Sequence, residues 1–314
     1  MRLQVAGEET YVYTGTKQWK PEQPWLLFIH GAANDHSVWA LQSRYFAHHG
    51  WNVVAPDLPG HGLSSGAALE SVEVIAQWCE ELLNTCGALN LPSPLAILEN
   101  AGTQGEGGGF AFGASTHANA TTLSPALPLG GREQKLAIIG HSMGSLIAIA
   151  LAGNLGPRCT HLALLGSAAP MGVSDALLDA AKTNADLAYK MIVSWSFAPS
   201  AHTGGNKAPG MWMTGQSLAL MRRAKPGVLH QDLLNCKSFG DKALHSAPQV
   251  SGHVLTISAK NDLMTPAKSV APLIAALKAN TNIRLSQTTL NDCGHSMMSE
   301  RPEEVLAALK GILQ

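Results

Sequence analysis

Hydrophobic positions come in short blocks separated by polar, glycine-rich turns. WLLFI at 25–29, LAII at 136–139 and HLALL at 161–165 are apolar runs of strand length. Such runs predict strands buried on both faces of a parallel sheet. NVVA at 52–55, HVLTIS at 253–258 and residues 283–290 read as further strands. The intervening segments have helical spacing. Val38 to His49 follows the capping candidates Asn34, Asp35 and Ser37 and stops at Gly50. Residues 69–86 place Val72, Ile75, Ala76, Cys79, Leu82 and Leu83 on one helical face. LIAIALAG after residue 145, residues 266–278 and residues 302–313 complete the helices. The alternation predicts an α/β fold: a mostly parallel sheet with helices on both faces.

Two stretches break this rhythm. Residues 91–133 are rich in Gly, Ala, Ser, Thr and Pro and poor in charge, the composition of a long flexible insertion. LAILENAGTQGEGGG, within it, has neither the glycine spacing nor the following helix of a dinucleotide-binding loop. Residues 170–248 are mostly helical and rich in Met and Trp, with a break at SAHTGGNKAPG. The expected organisation is a core of residues 1–169 and 249–314, with a helical lid, 170–248, inserted before the last two strands.

Composition narrows the function. The chain has 314 residues, 46% hydrophobic and 14% charged, with a formal net charge of −1. A substantial core is available, and global disorder is excluded. No dense run of Lys or Arg appears, so a nucleic-acid partner is not expected. Five cysteines are scattered without a framework, which predicts reduced thiols and no zinc site. The N-terminal residues lack a basic segment followed by an apolar run, and no stretch reaches about 18 apolar residues. A soluble, cytoplasmic protein is the expectation.

The candidate chemistry centres on Gly140-His141-Ser142-Met143-Gly144. An apolar strand precedes this G-x-S-x-G and an apolar helix follows, as a nucleophile elbow requires. Ser142 would stand on a sharp bend at a helix N-terminus, where N–H groups favour negative charge. A serine needs a base. Among 13 histidines, His295 follows the last predicted strand and precedes the last helix, so its loop reaches the carboxyl edge of the sheet. His30 and His61 lie in nearby loops and are read as supports. The His141 side chain is expected to point away from the bend. Asp262 follows the strand HVLTIS and completes the order Ser, Asp, His. Asp292 is the rival, but three residues from His295 it is read as a brace. Oxyanion donors would be the backbone N–H of Met143 and that of Ala32, with Ala33 as the alternative.

HGAANDHSVW, APDLPGHGLSS, GHSMGS and the segments of Asp262 and His295 together resemble the lidded α/β-hydrolase superfamily. The sequence is similar to its esterases, lactonases and carbon–carbon bond hydrolases over residues 20–90 and 134–314. The resemblance implies an eight-stranded sheet and a cofactor-free acyl-enzyme mechanism, with Ser142, Asp262 and His295 as triad and Ala32 and Met143 as oxyanion donors. The chain departs from that pattern in the length of 91–133 and in Ser145, where a further Gly is frequent. Dehalogenases and epoxide hydrolases of this fold carry Asp where Ser142 stands. In the lid, Met191, Trp195, Met211, Trp212 and Met213 suggest an adaptable apolar pocket. The expected activity is hydrolysis of a carboxylic ester, thioester or lactone of a small to medium apolar acyl compound. Carbon–carbon cleavage of a dienoic diketone acid, for which Arg222 or Arg223 would bind the carboxylate, is the alternative. A non-catalytic receptor on the same fold is the third reading, and oligomeric state stays open.

Overall fold

The computed structural model describes residues 1–89, 135–204 and 211–314. The insertion expected at 91–133 lies outside the described residues. The strands are β1 (Arg2–Val5), β2 (Glu8–Tyr13), β3 (Trp25–Ile29), β4 (Asn52–Pro56), β5 (Leu136–His141), β6 (His161–Leu165), β7 (Gly252–Ala259) and β8 (Ile283–Leu290). They form one eight-stranded sheet in the order β1-β2-β4-β3-β5-β6-β7-β8. From β4 to β8 every pairing is parallel; β1 and β2 add antiparallel strands at one edge.

Every residue of β3, β4 and β5 is buried, which explains their unbroken apolar runs. Alternate residues serve opposite layers. Trp25, Leu27 and Ile29 pack beneath the helices Val72–Thr85 and Met143–Leu155. Leu26 and Phe28 face Trp39, Phe46, Val305 and Leu309 on the other side. The helix Met143–Leu155 is buried on nearly all faces, so it carries no amphipathic stripe.

The six strands expected from the sequence are present, with β4, β5 and β7 extended by a residue or more. The N-terminal hairpin was not foreseen. Ala6 (φ 51°) and Gly7 (φ 80°) form its two-residue turn, and a left-handed Ala is a weak sequence signal. The helix expected from Val38 is a 3-10 turn, His36–Trp39, capped by Asp35, running into the helix Ala40–His48. The expected start at 69 moves to Val72, because Ser71 caps that helix through the Val74 N–H at 3.2 Å.

Between β6 and β7 lie the helices Asp175–Thr183, Ala185–Ser196, Pro199–His202, Met213–Met221, Val228–Phe239 and Lys242–Ser246. Leu177, Ile192, Val193, Met213, Met221 and Leu233 form a third apolar cluster here. It reaches the β3 loop at Ala33. Among the described residues no helix is long and apolar enough to cross a membrane.

Candidate active site

The parallel strands end on one edge, and the loops there enclose a cavity of about 960 Å³. Its walls include Ala32, Ser142, Trp195, Met213, Leu233 and His295. The helices between β6 and β7 supply much of the apolar wall.

Ser142 joins β5 to the following helix with φ 56° and ψ −123°, a region that non-glycine residues rarely occupy. The surrounding glycines explain how the turn fits. A Cβ at Gly140 would overlap the Gly144 carbonyl, and one at Gly144 would overlap the backbone of Ile29. A Cβ on Gly31 would stand 3.0 Å from the Ser142 Cβ. The strained bend is held by the Ser142 N–H donating to Leu165 O at 2.9 Å. Ser145 adds its hydroxyl to the Ser142 carbonyl at 2.6 Å, a bond that the glycine frequent at this position would lack.

His295 lies in the loop after β8 and is 6% exposed. Its Nδ1 is 2.8 Å from Asp262 Oδ2, which places the proton on Nδ1 and leaves Nε2 as acceptor. Asp262 is fully engaged. Its Oδ1 accepts from the N–H groups of Met264 and Thr265, and its Oδ2 accepts from Thr265 Oγ1 at 2.7 Å. Burial alone would raise its pKa. The adjacent His295 and these donors outweigh burial and hold it down at about 2. Among the described residues no hydrogen bond joins the Ser142 hydroxyl to His295. Such bonds commonly tighten only when substrate is bound.

Asp292 lies outside this arrangement. It pairs with Arg301 at 2.6 Å and accepts from Ser200 Oγ, bracing the loop. On the β3 loop the Ala33 N–H donates to Asp232 Oδ2 at 2.8 Å, so it is unavailable to a ligand. Ala32 lines the cavity. The Met143 N–H opens its helix and has no acceptor within that helix.

Of the apolar residues expected at the pocket, Trp195, Met211 and Met213 line it. Two do not. Met191 packs against the third apolar cluster, and Trp212 is 75% exposed with its ring over Gly215. Trp212 stands just before the helix Met213–Met221, and composition alone does not say which of these residues meets the cavity. The side chain of His141 also departs from expectation. It lines the cavity, and its Nε2–H donates to His295 O at 2.9 Å. Burial and the nearby His295 push its pKa down to about 3, so it is a neutral brace.

Other contributors were not read from the sequence. Gly166 (φ 56°) leaves room for the imidazole: a Cβ there would lie 3.0 Å from His295 Cε1. Glu300 accepts the N–H groups of Gly294 and Ala198, tying the His295 loop to the segment between β6 and β7. Burial pushes its carboxyl up to about 7. Only Thr265 left a local signal, since Asp followed by a residue bonding back two or three positions later is a common turn.

A model of the alpha/beta hydrolase family matches residues 26–308, most of the chain. The chain belongs to the alpha/beta hydrolase family. Curated relatives match only short stretches. Human Protein ABHD8 is 37% identical over 57 residues, 18% of this chain and 13% of that protein. The chain thus spans a small fraction of the first of these relatives. The (E)-2-((N-methylformamido)methylene)succinate hydrolase of Acinetobacter baylyi is 30% identical over 92 residues, covering 28% of this chain and 33% of that one. Among solved structures, an esterase from Exiguobacterium antarcticum aligns with a TM-score of 0.69 at 17% identity, covering 99% of this chain and 97% of its own. The enol-lactonase from Burkholderia xenovorans LB400 aligns at 0.68 and 19% identity, covering 100% and 99%. At such identities the structural likeness carries the fold.

Proposed function

We propose that this hydrolase-family chain is a serine hydrolase that cleaves uncharged carboxylic esters, thioesters or lactones through an acyl-enzyme. The observation that carries the reading is one cavity wall bearing both Ser142, on its strained turn, and His295, paired with Asp262. Substrate entry rotates the Ser142 hydroxyl toward His295 Nε2, which takes its proton as oxygen attacks the carbonyl. The Ala32 and Met143 N–H groups hold the oxyanion. Asp262 keeps the Nδ1 proton in place and stabilises the imidazolium. His295 then protonates the leaving group, and water enters by the same base. The helices of 170–248 act as lid, and their apolar residues receive the acyl portion.

The charge of the cavity supports an uncharged substrate. Among the described residues no Lys or Arg lines it, whereas Glu300, Glu303 and Glu304 do. Arg222 pairs with Asp186 and Arg223 with Asp35, both outside the lining. Carbon–carbon cleavage of a dienoic acid needs a cation for the carboxylate, so it is the weaker reading. This holds although the Acinetobacter relative bears the name of a succinate hydrolase.

The test is a fluorophosphonate probe with p-nitrophenyl esters of increasing acyl length, one series neutral and one ending in a carboxylate. Wild type should be labelled and should prefer the neutral series; Ser142→Ala should lose both labelling and turnover. Equal labelling of the two proteins, or preference for the anionic esters, would overturn the reading.

A further inference from the structure

Asp232 lies in the middle of the helix Val228–Phe239 and is 1% exposed. A single oxygen, Oδ2, accepts from the Ala33 N–H at 2.8 Å and from His61 Nε2 at 2.8 Å. His61 is 2% exposed, and its other nitrogen faces the Pro59 carbonyl at 3.0 Å. Both ring nitrogens of His61 therefore meet acceptors. Only the doubly protonated ring satisfies both, so the pair is a buried imidazolium and carboxylate.

A buried ion pair is a poor way to gain stability, because desolvation consumes most of the attraction. Its value lies in the geometry that it enforces. Ala33 has φ 51°, a left-handed conformation costly for a residue with a Cβ. The Asp232 carboxylate holds that conformation by capturing its N–H. With Ala33 so turned, Ala32 faces the cavity. The loop is secured from the core side as well. His30 accepts the Leu58 N–H on Nε2 at 3.1 Å, and its Nδ1 faces Gly31 O at 2.9 Å, so it is neutral. Burial, with the charge of His61 5.0 Å away, pushes the His30 pKa down to about 4. Burial acts against protonation of His61 too, but the Asp232 carboxylate outweighs it and raises that pKa.

We propose that Asp232, held by His61, is a positioning residue that sets the oxyanion loop from the helical insertion. Its carboxylate makes correct placement of the Ala32 donor depend on docking of the insertion helix. The insertion thus does more than wall the cavity: its docked state and the competent oxyanion site are one state. Nearby contacts serve the docking itself, with Asn235 Nδ2 donating to Leu69 O at 2.8 Å and Lys225 Nζ to Ser64 O at 2.9 Å. Neither reaches the β3 loop.

The inference rests on the esterase reading, and the experiment separates the two. Asp232→Asn, Asp232→Ser and Asp232→Ala form a series of weakening acceptors for the Ala33 N–H. Steady-state hydrolysis of p-nitrophenyl butyrate and the rate of fluorophosphonate labelling are measured for each. Loss of a whole oxyanion donor lowers kcat by roughly 10²–10³, so displacing one costs less. The expected fall in kcat is about 3–10-fold for Asn and about 30–100-fold for Ala, with Ser between and KM within about threefold throughout. Labelling rates should fall in the same order. Should the Ala variant not fold, the order Asp, Asn, Ser in kcat carries the test. A flat series, or losses confined to KM, overturns the inference alone. A wild type that neither labels nor hydrolyses overturns the reading of Ser142 and this inference with it.

Discussion

Asp262→Asn tests the site most severely, because it changes a charge and almost no volume. The Asn carbonyl can still accept the N–H groups of Met264 and Thr265. Its amide then replaces Oδ2, which now faces His295 Nδ1 at 2.8 Å. That amide donates, so Nδ1 must accept and the ring proton moves to Nε2. On the proposed mechanism the ring then presents a proton to Ser142 where a lone pair is needed. The expected fall in kcat at pH 7 is about 10³–10⁴-fold, with labelling slowed in parallel. Stability is also affected. The folded pKa of Asp262 is about 2, against an ordinary 3.8. At about 1.4 kcal/mol per unit, the ionised group contributes on the order of 2 kcal/mol. Because the folded value is depressed, this contribution is present above about pH 4 and lost as pH falls toward 2. Urea denaturation of wild type and variant should differ by that amount at pH 7 and converge toward pH 2. A variant within tenfold of wild-type kcat at pH 7 would refute the assignment of Asp262. A stability difference that is flat across the same pH range would refute the electrostatic account.

The remaining expectations concern the elements that hold the site. Gly166→Ala should lower kcat by about tenfold or more with KM unchanged, since its Cβ would press on His295. The left-handed φ adds about 1–2 kcal/mol of strain, measurable by urea denaturation, and unaltered kcat would sink the idea. Gly140→Ala should yield little soluble protein, because its Cβ overlaps the Gly144 carbonyl; a normal yield of active enzyme would contradict the elbow geometry. Glu300→Gln leaves one of two backbone donors facing an amide, so it should lower the urea midpoint. The folded pKa of Glu300 is raised to about 7, so the contribution of the wild-type acid is largest below pH 4.5 and falls as pH rises through 7. The gap between wild type and variant should therefore shrink from pH 5 to pH 8; a widening gap would reverse the sign and reject the burial account.

Much of this protein was legible in its local sequence, because buried parallel strands are continuous apolar runs. The period of WLLFI or HLALL and the turn residues that follow carry the layer order without reference to distant residues. The positions of Ser142, Asp262 and His295 at strand ends follow from the same local pattern, since each lies just after a readable strand. The N-terminal hairpin escaped because an Ala in the left-handed region occupies its turn. What the tertiary structure alone decided are contacts between segments far apart in the chain. The Ala33 N–H is taken by a carboxylate 199 residues away, which no local pattern announces. The space beside His295 depends on the bare Cα of Gly166, and the anchoring of its loop depends on Ala198 and Gly294 meeting one buried Glu300. Trp195 lines the cavity, while Trp212, just before the helix Met213–Met221, faces solvent. Periodicity encodes which face a residue shows to its own element; it holds no information on which partner that face will meet. That choice is made by burial of polar groups that must find one another when the layers close.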